Sequence, residues 1–447
     1  MKQSRTLVLL SFLLLPFFCA AQETFDLQEL LSHAIENNAD IKKSGLKVSE
    51  SNLKEKEVKA NGLPQLDGSL NYIRMGFSEI DVSQDVLESA PEDVAPLLEG
   101  LSGIDALHVA SAGLSVSQLI YSQTYLTGIK QARKAKEFYL TMQQQTKDDI
   151  IYDVASNYYQ VLMSYSSLNI LDENIRNLQK LYEILYLQYT NDFVKLTDVN
   201  RLKVTVTNLE TQREILQNAI NIQERVLKII CGIPLEQEIR IDTTILNNEN
   251  LAEPVITDFS LGQLPAYQLL QKQIELAQLD IKANKSAYYP TLAAFASFNY
   301  SSSNTEFDFN DFSGSDIIGV TASIPIFSSG MRKNKLGQSK LQLRQIEETF
   351  NQTKQELGTG YQNAINSLWS SWKSLQVQKE NKELSHEVYD QVKLQFDEGM
   401  ASLTDLLNVE SSLLDAENLY NQQMLKYHLS KVELLKATGS LNSLTNN

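Results

Sequence analysis

One phrase of this chain occurs twice. QYTNDFVKLTDVN, residues 188–200, returns as QFDEGMASLTDLL, residues 395–407, with Leu-Thr-Asp at the same place. The same offset of 207 pairs Asp198 with Asp405 and Gly232 with Gly439. GLSVSQLIYS (113–122) matches GVTASIPIFS (319–328) at an offset of 206. Nearer the N-terminus the offset is 226, pairing Ala39 with Pro265, Pro64 with Pro290 and Leu66 with Leu292. Two long copies of one plan therefore make up the chain. The extra length of copy one lies between Tyr72 and Gly113. It contains SEIDVSQDVLESAPEDVAPLLEGLSGIDAL, which is acidic throughout, has no basic residue, and reads as a solvated loop with room for a short helix.

Each copy lists the same elements in the same order. An amphipathic helix comes first. In copy one, Asp26 and Glu29 have capping-box spacing, and Leu27, Leu30, Leu31, Ala34 and Ile35 follow at helical intervals. This helix is expected to stop near Pro64, and its counterpart near Pro290, because proline disfavours helix in the residue before it. Alternation with period two follows. Leu66, Leu70 and Tyr72 oppose Asp67, Ser69 and Asn71. In copy two, Leu292, Ala294, Ala296, Phe298 and Tyr300 share a face, as do Ile318, Val320, Ala322, Ile324 and Ile326. Strands are expected at about 66–77 and 108–121, and at about 291–302 and 315–327. Their length suits a tilted crossing of a bilayer, although alternation alone equally fits a half-buried sheet in a soluble domain.

Long helical hairpins complete each copy, at about 124–230 and 330–438. Thr124 to Leu187 contains no proline, enough for a helix of roughly 95 Å at 1.5 Å per residue. The second helix of each hairpin carries a seam of alternating threes and fours: Val199, Leu202, Val206, Leu209 in copy one, and Leu406, Val409, Leu413, Ala416 in copy two. The 18 glycines and 9 prolines are about half the usual share of these residues, which accords with long uninterrupted elements. The domain reading is residues 22–234 for the first repeat, 235–257 for a linker, 258–441 for the second repeat and 442–447 for a tail.

Residues 1–21 read as a secretory signal: Lys2 and Arg5, an apolar stretch from Thr6 to Phe18, and the small-residue site Cys19-Ala20-Ala21. A lipid anchor on Cys19 is the rival reading, which Phe17 and Phe18 disfavour. Cleavage before Gln22 would leave Cys231 alone, with no intramolecular disulfide. No later stretch has 18 consecutive apolar residues, so no transmembrane helix is expected in the mature chain. The net charge of −16 argues against nucleic acid as a partner.

Four membrane strands cannot close a barrel, since single-chain barrels begin at eight, and open strand edges are not tolerated in lipid. If the hairpins lie in a membrane, several chains must pool them as a symmetric oligomer, with the helices projecting from the bilayer.

At this point the sequence resembles the TolC-like outer membrane efflux protein family. The resemblance rests on FDLQELLSHAIENNADIK, the paired blocks KANGLPQL and KSAYYPTL, SIPIFSSG, and FDEGMASLTDLL, and it spans nearly the whole mature chain. It implies a mainly α fold with a membrane β part. A homotrimer would pool four strands per chain into a twelve-stranded barrel in outer-membrane lipid, continued by an α-helical tunnel across the periplasm. It also implies a periplasmic adaptor (membrane fusion) protein and an inner-membrane pump, proton-driven or ATP-driven, as partners. The Leu-Thr-Asp turns would form the tunnel's far tip. Gly399 matches the family's turn glycine, Asp405 its first constricting acid, and Asn408 the place of a second acid. Asp198 matches an acid that in some members tethers neighbouring coiled coils through a tyrosine and an arginine. Those partner positions here are Phe396 and Ala401, and Arg201 is a candidate substitute. The aperture set is therefore Asp405, Asn408, Asp198 and Arg201. The tip and docking set is Gly399, Leu403, Thr404, Leu196 and Thr197. Pro64 and Pro290 mark the helix-to-strand junctions.

Read without the family, Asp198 and Asp405 are acids favourably placed at helix N-termini. His386-Glu387 lies on a solvated helix face and does not read as a metal site. Trp369 and Trp372 read as packing residues, and Gly358 and Gly360 as a bend or a close helix contact. No metal, phosphate-loop or nucleophile motif is present, so neither cofactor nor enzymatic activity is expected. The leading function is an exit duct of a tripartite efflux pump. Alternatives are the outer-membrane component of type I protein secretion and, in another class, a periplasmic coiled-coil scaffold or adaptor.

Overall fold

The computed structural model describes residues 24–76, 83–91, 94, 96, 106–243, 253–256, 259–308 and 310–445. The signal segment, Cys19, most of the acidic insertion and parts of the linker and tail lie outside these residues. The chain divides into two compact units, and each draws on both sequence copies.

One unit comprises Ser44–Gln144 and Pro265–Gln355. It holds β2 (Gln65–Gly76), β3 (Ala106–Ser122), β5 (Thr291–Asn304) and β6 (Ser313–Ser323). They form one four-stranded sheet in the order β2-β3-β5-β6, with every neighbouring pair antiparallel. The register places Leu66, Val116, Ala296 and Ile318 side by side, and Gly68, Leu114, Phe298 and Asp316 in the next row. The other face carries Ser69, Gly113, Asn299 and Ser315 in one row and Asn71, Ser111 and Ser301 in another. The apolar face is not covered: Leu66 is 69%, Leu70 86% and Ile318 82% exposed. β6 ends at Ser323, although the alternation runs on through Ile324 and Ile326, because Pro325 has no N–H to give to the ladder.

Two helices lead into this sheet. α2 (Ala39–Ala60) and α6 (Pro265–Ser286) each end four residues before the proline that starts a strand. At the Pro64 junction, Tyr125 donates to the Lys59 carbonyl at 3.0 Å and Gln118 to the Gly62 carbonyl at 2.6 Å. Gly62 lets the Tyr125 ring approach, since a Cβ there would lie 2.2 Å from the phenolic oxygen. At the Pro290 junction, Arg332 donates to the carbonyls of Ala287 (3.3 Å) and Pro325 (3.1 Å) and lies over the Tyr288 ring. Lys134, Glu137, Lys272 and Glu275 form an ion-pair group on the helices of this unit.

The other unit comprises the described parts of Met1–Lys43, Gln145–Leu264 and Glu356–Asn447. β1 (Thr24–Phe25) pairs in parallel with β4 (Arg240–Ile241). α1 (Leu27–Asn37) starts with a full capping box: Asp26 accepts from the Glu29 N–H at 2.7 Å and Glu29 from the Asp26 N–H at 3.1 Å. The first helical run is broken at Asn38, whose carboxamide oxygen accepts from the N–H groups of Asp40 and Ile41 and so caps α2. α3 (Gln84–Ser89), a short helix in the acidic insertion, belongs to the sheet-bearing unit. The long helices among the described residues are α4 (Gln123–Thr190), α5 (Leu196–Cys231), α7 (Met331–Asp397) and α8 (Leu403–Thr438). α7 runs unbroken through Gly358 and Gly360, where a Cβ would meet no atom of the described residues within 4 Å, so within these residues neither glycine serves a close contact or a break.

Two apolar clusters organise this unit. The larger joins Leu30, Leu31, Ile151, Tyr158, Leu227 and Leu375 among others, with Trp372 packed against it. Trp369 stands edge-on to Trp372 at 5.8 Å. The smaller joins Leu178, Leu185, Val199, Leu202 and Leu403, with Phe396 and Leu407 packed against it. The seam of α5 is buried at Val199, Leu202, Val206 and Leu209. The repeat extends to single polar contacts. Gln179 donates to Glu210 at 2.9 Å, and His386 and Glu417, each 207 positions further on, make the matching contact at 3.0 Å.

Candidate functional site

The two Leu-Thr-Asp turns follow α4 and α7. Both helices end in a left-handed residue, and in both the N–H of the next residue reaches back five positions. Phe193 donates to the Gln188 carbonyl at 2.9 Å and Met400 to the Gln395 carbonyl at 2.7 Å. Asp192 and Gly399 donate to Tyr189 and Phe396 at 3.0 and 2.9 Å. This paired pattern closes a helix by satisfying its last carbonyls.

α8 then starts on a capping box. Ser402 accepts from the Asp405 N–H at 3.2 Å, and the Asp405 carboxylate accepts from the Ser402 N–H at 3.0 Å and its hydroxyl at 2.6 Å. The Ser402 hydroxyl bond, then the backbone bond, holds the Asp405 carboxyl below its ordinary value, so it is charged at neutral pH. α5 starts on Lys195, which offers no side-chain cap. Asp198 holds the same helical position as Asp405 without the hydroxyl partner.

The predicted residues are not all drawn together. Asp405, Asn408, Thr404, Arg201, Leu196 and Thr197 are exposed, Asp198 is half-buried, and Leu403 is buried in the smaller cluster. The Arg201 guanidinium donates to the Thr404 hydroxyl at 2.6 Å and so joins the N-terminal turns of α5 and α8. It is thus bound to Thr404, and Phe396 takes an apolar packing role in the tether position. Among the described residues no His, Cys, Asp and Glu cluster could hold a metal ion, and no helix is long and apolar enough to cross a membrane.

One neighbouring residue was absent from the sequence-based set. Glu410 is 5% exposed, and burial pushes its carboxyl up to about 7, with the Lys393 charge acting in the opposite direction. Burial, reinforced by the Glu410 charge, pushes the Tyr389 phenol to about 12. The signal was present in the sequence: Glu410 follows Leu406 by four and precedes Leu413 by three, so an acid lies on the apolar stripe of α8.

Comparison with known proteins adds a family and relatives. The family model described as outer membrane efflux protein matches residues 260–440. The toluene efflux pump outer membrane protein TtgI of Pseudomonas putida is 22% identical over 433 residues, covering 94% of this chain and 86% of that protein. The outer membrane protein TolC of Escherichia coli is 20% identical, covering 95% and 84%. Among solved structures, the CmeC outer membrane channel of Campylobacter jejuni superposes with a TM-score of 0.73 at 17% identity, covering 93% of this chain and 85% of that one. The open-state MtrE outer membrane channel of Neisseria gonorrhoeae superposes at 0.72 and 17%, covering 94% and 91%.

Proposed function

We propose that this chain, which matches the outer membrane efflux protein family model over residues 260–440 and superposes on solved outer membrane channels, is the outer-membrane exit duct of a tripartite efflux pump. It sits in the outer membrane of a Gram-negative bacterium with its helices in the periplasm. It conducts exported solute passively, and an inner-membrane pump, proton-driven or ATP-driven, supplies the energy through a periplasmic adaptor.

The observation that carries this reading is the uncovered four-stranded sheet. Among the described residues, one face is largely apolar and exposed, the central rows of the other carry serine, asparagine and glycine, and both outer strands have free edges. Such a sheet suits lipid on one side and water on the other, and its edges require pairing. A homotrimer gives twelve strands, enough to close a barrel. In this reading Gly399, Leu403, Thr404, Leu196 and Thr197 belong to the periplasmic tip that docks on the adaptor. Asp405, Asn408, Asp198 and Arg201 border the aperture.

Purification from outer membranes in detergent, followed by mass measurement and single-channel recording, tests the reading. A trimer with a stable conductance is expected. A water-soluble monomer without conductance would overturn it.

A further inference from the structure

The four strands contain three charged residues: Asp67, Arg74 and Asp316. Asp67 shares a face with Ser115 and Ser297 and so lies on the polar side. Arg74 and Asp316 lie on the apolar side, in the rows of His108 and of Leu114 and Phe298. Among the described residues they are the only charges on that face. They also occupy its opposite edges, Arg74 on β2 and Asp316 on β6. Both are exposed, and neither has an ion-pair partner among the described residues.

From this arrangement we infer that Arg74 of one copy pairs with Asp316 of the neighbouring copy and sets the register at which the trimeric barrel closes. The inference rests on the barrel reading above. Two independent constraints converge on the pairing. The first is barrel tilt. Four strands span about 19 Å, and a tilt of about 35–45° displaces the register by about four to six residues on passing to the next copy.

The second constraint is the overlap of the two edges. With no displacement Asp316 would face Gly68, its own row, and Val320 to Ser323 would run past the start of β2. A displacement of four residues toward Gly76 puts Asp316 opposite Tyr72. Ser323 then meets Gln65 and Ser313 meets Met75, so every residue of β6 is paired. A displacement of six puts Asp316 opposite Arg74, with Gly314 to Ser323 all facing residues of β2. Displacement the other way leaves Asp316 facing Pro64, with Ser313 to Ser315 alone paired. The tilt and the overlap therefore both place Arg74 either directly across from Asp316 or on the adjacent diagonal, within reach of an arginine side chain. Each charge then gains a partner on a surface where a lone charge is unfavourable.

The test combines charge reversal with cross-linking in the full-length protein. Arg74→Asp and Asp316→Arg, made singly, are expected to lower the temperature at which trimers dissociate in SDS. The double reversal is expected to restore most of that loss. Asp316→Cys is combined in turn with Gly68→Cys, Tyr72→Cys and Arg74→Cys. Reducible inter-chain bonds are expected with position 72 or 74 and not with 68. Trimers of the Gly68→Cys, Asp316→Cys variant that cross-link, or a double reversal no better than the worse single variant, would overturn the pairing while leaving the trimer intact. Wild-type protein that is monomeric in detergent would instead overturn the barrel reading.

Discussion

Asp192 and Gly399 hold the same place in the two helix-ending turns, and both have a left-handed backbone, with φ of 64° and 75°. An aspartate bears steric strain in this region that glycine does not. Asp192→Gly is therefore expected to raise stability by about 0.5 kcal/mol, partly offset by the greater freedom of glycine in the unfolded chain. Gly399→Ala is expected to cost about 1 kcal/mol. Denaturant unfolding in detergent checks both, and a Gly399→Ala variant as stable as the parent would show that the turn relaxes out of the left-handed region.

Gly232 and Gly439 end α5 and α8, again with left-handed backbones, but their surroundings differ. A Cβ on Gly232 would lie 2.7 Å from the Asn37 carbonyl oxygen, whereas on Gly439 its nearest neighbour would be Leu264 at 3.4 Å. Gly439→Ala is expected to cost about 1 kcal/mol from the backbone alone. Gly232→Ala is expected to cost roughly 2–4 kcal/mol, because a backbone atom must also move. Equal melting shifts for the two variants would contradict the close approach of α1 to the end of α5.

Local physics made much of this fold readable. Helix stops before Pro64 and Pro290, the two faces of the strands and the capping box at Asp26 all depend on residues close in sequence. Three features did not. The break at Asn38 depends on its side chain turning back onto Asp40 and Ile41, in a stretch whose apolar spacing otherwise continues. The end of β6 at Ser323 goes against an alternation that persists to Ile326. The place of Glu410 on the apolar stripe of α8 was legible from its spacing to Leu406 and Leu413, but its burial depends on what packs against α8, and heptad counting assigned that stripe to Val409. For the candidate site, Leu-Thr-Asp located the turns, but the Arg201–Thr404 contact joins residues 203 positions apart and left no local trace.

Glu410 gives the helical tip a dependence on pH. Its ordinary carboxyl value of 4.5 is raised to about 7 in the folded chain. Between these values the folded state keeps a proton that the unfolded state has lost, so stability falls as pH rises through this window and levels off above it. Glu410→Gln is neutral at every pH. It is expected to match the parent near pH 4 and exceed it at pH 8 by up to ~3 kcal/mol, at 1.36 kcal/mol for each pKa unit. Denaturant midpoints at the two pH values check this. A parent protein equally stable at pH 5 and pH 8 would show that the buried carboxyl is not protonated.

Asp405 is both a helix cap and the acid proposed to border the aperture, and the two roles separate by substitution. Ser402→Ala removes the hydroxyl that bonds to Asp405 but keeps the carboxylate, at a cost of about 1 kcal/mol in helix capping. If the Asp405 charge narrows the aperture electrostatically, Ser402→Ala leaves single-channel conductance and cation preference near those of the parent. Asp405→Ala removes the charge and is expected to raise conductance or weaken cation preference. The folded-state carboxyl value of Asp405 is depressed, so its stabilising contribution is present above the unfolded value and is lost as pH falls through the folded value. The conductance difference between parent and Asp405→Ala should accordingly shrink only in acid, below the ordinary value of 3.8. Recordings in planar bilayers across that range decide the matter: identical conductance and selectivity for Asp405→Ala and the parent at neutral pH would remove Asp405 from the aperture and leave it as a cap.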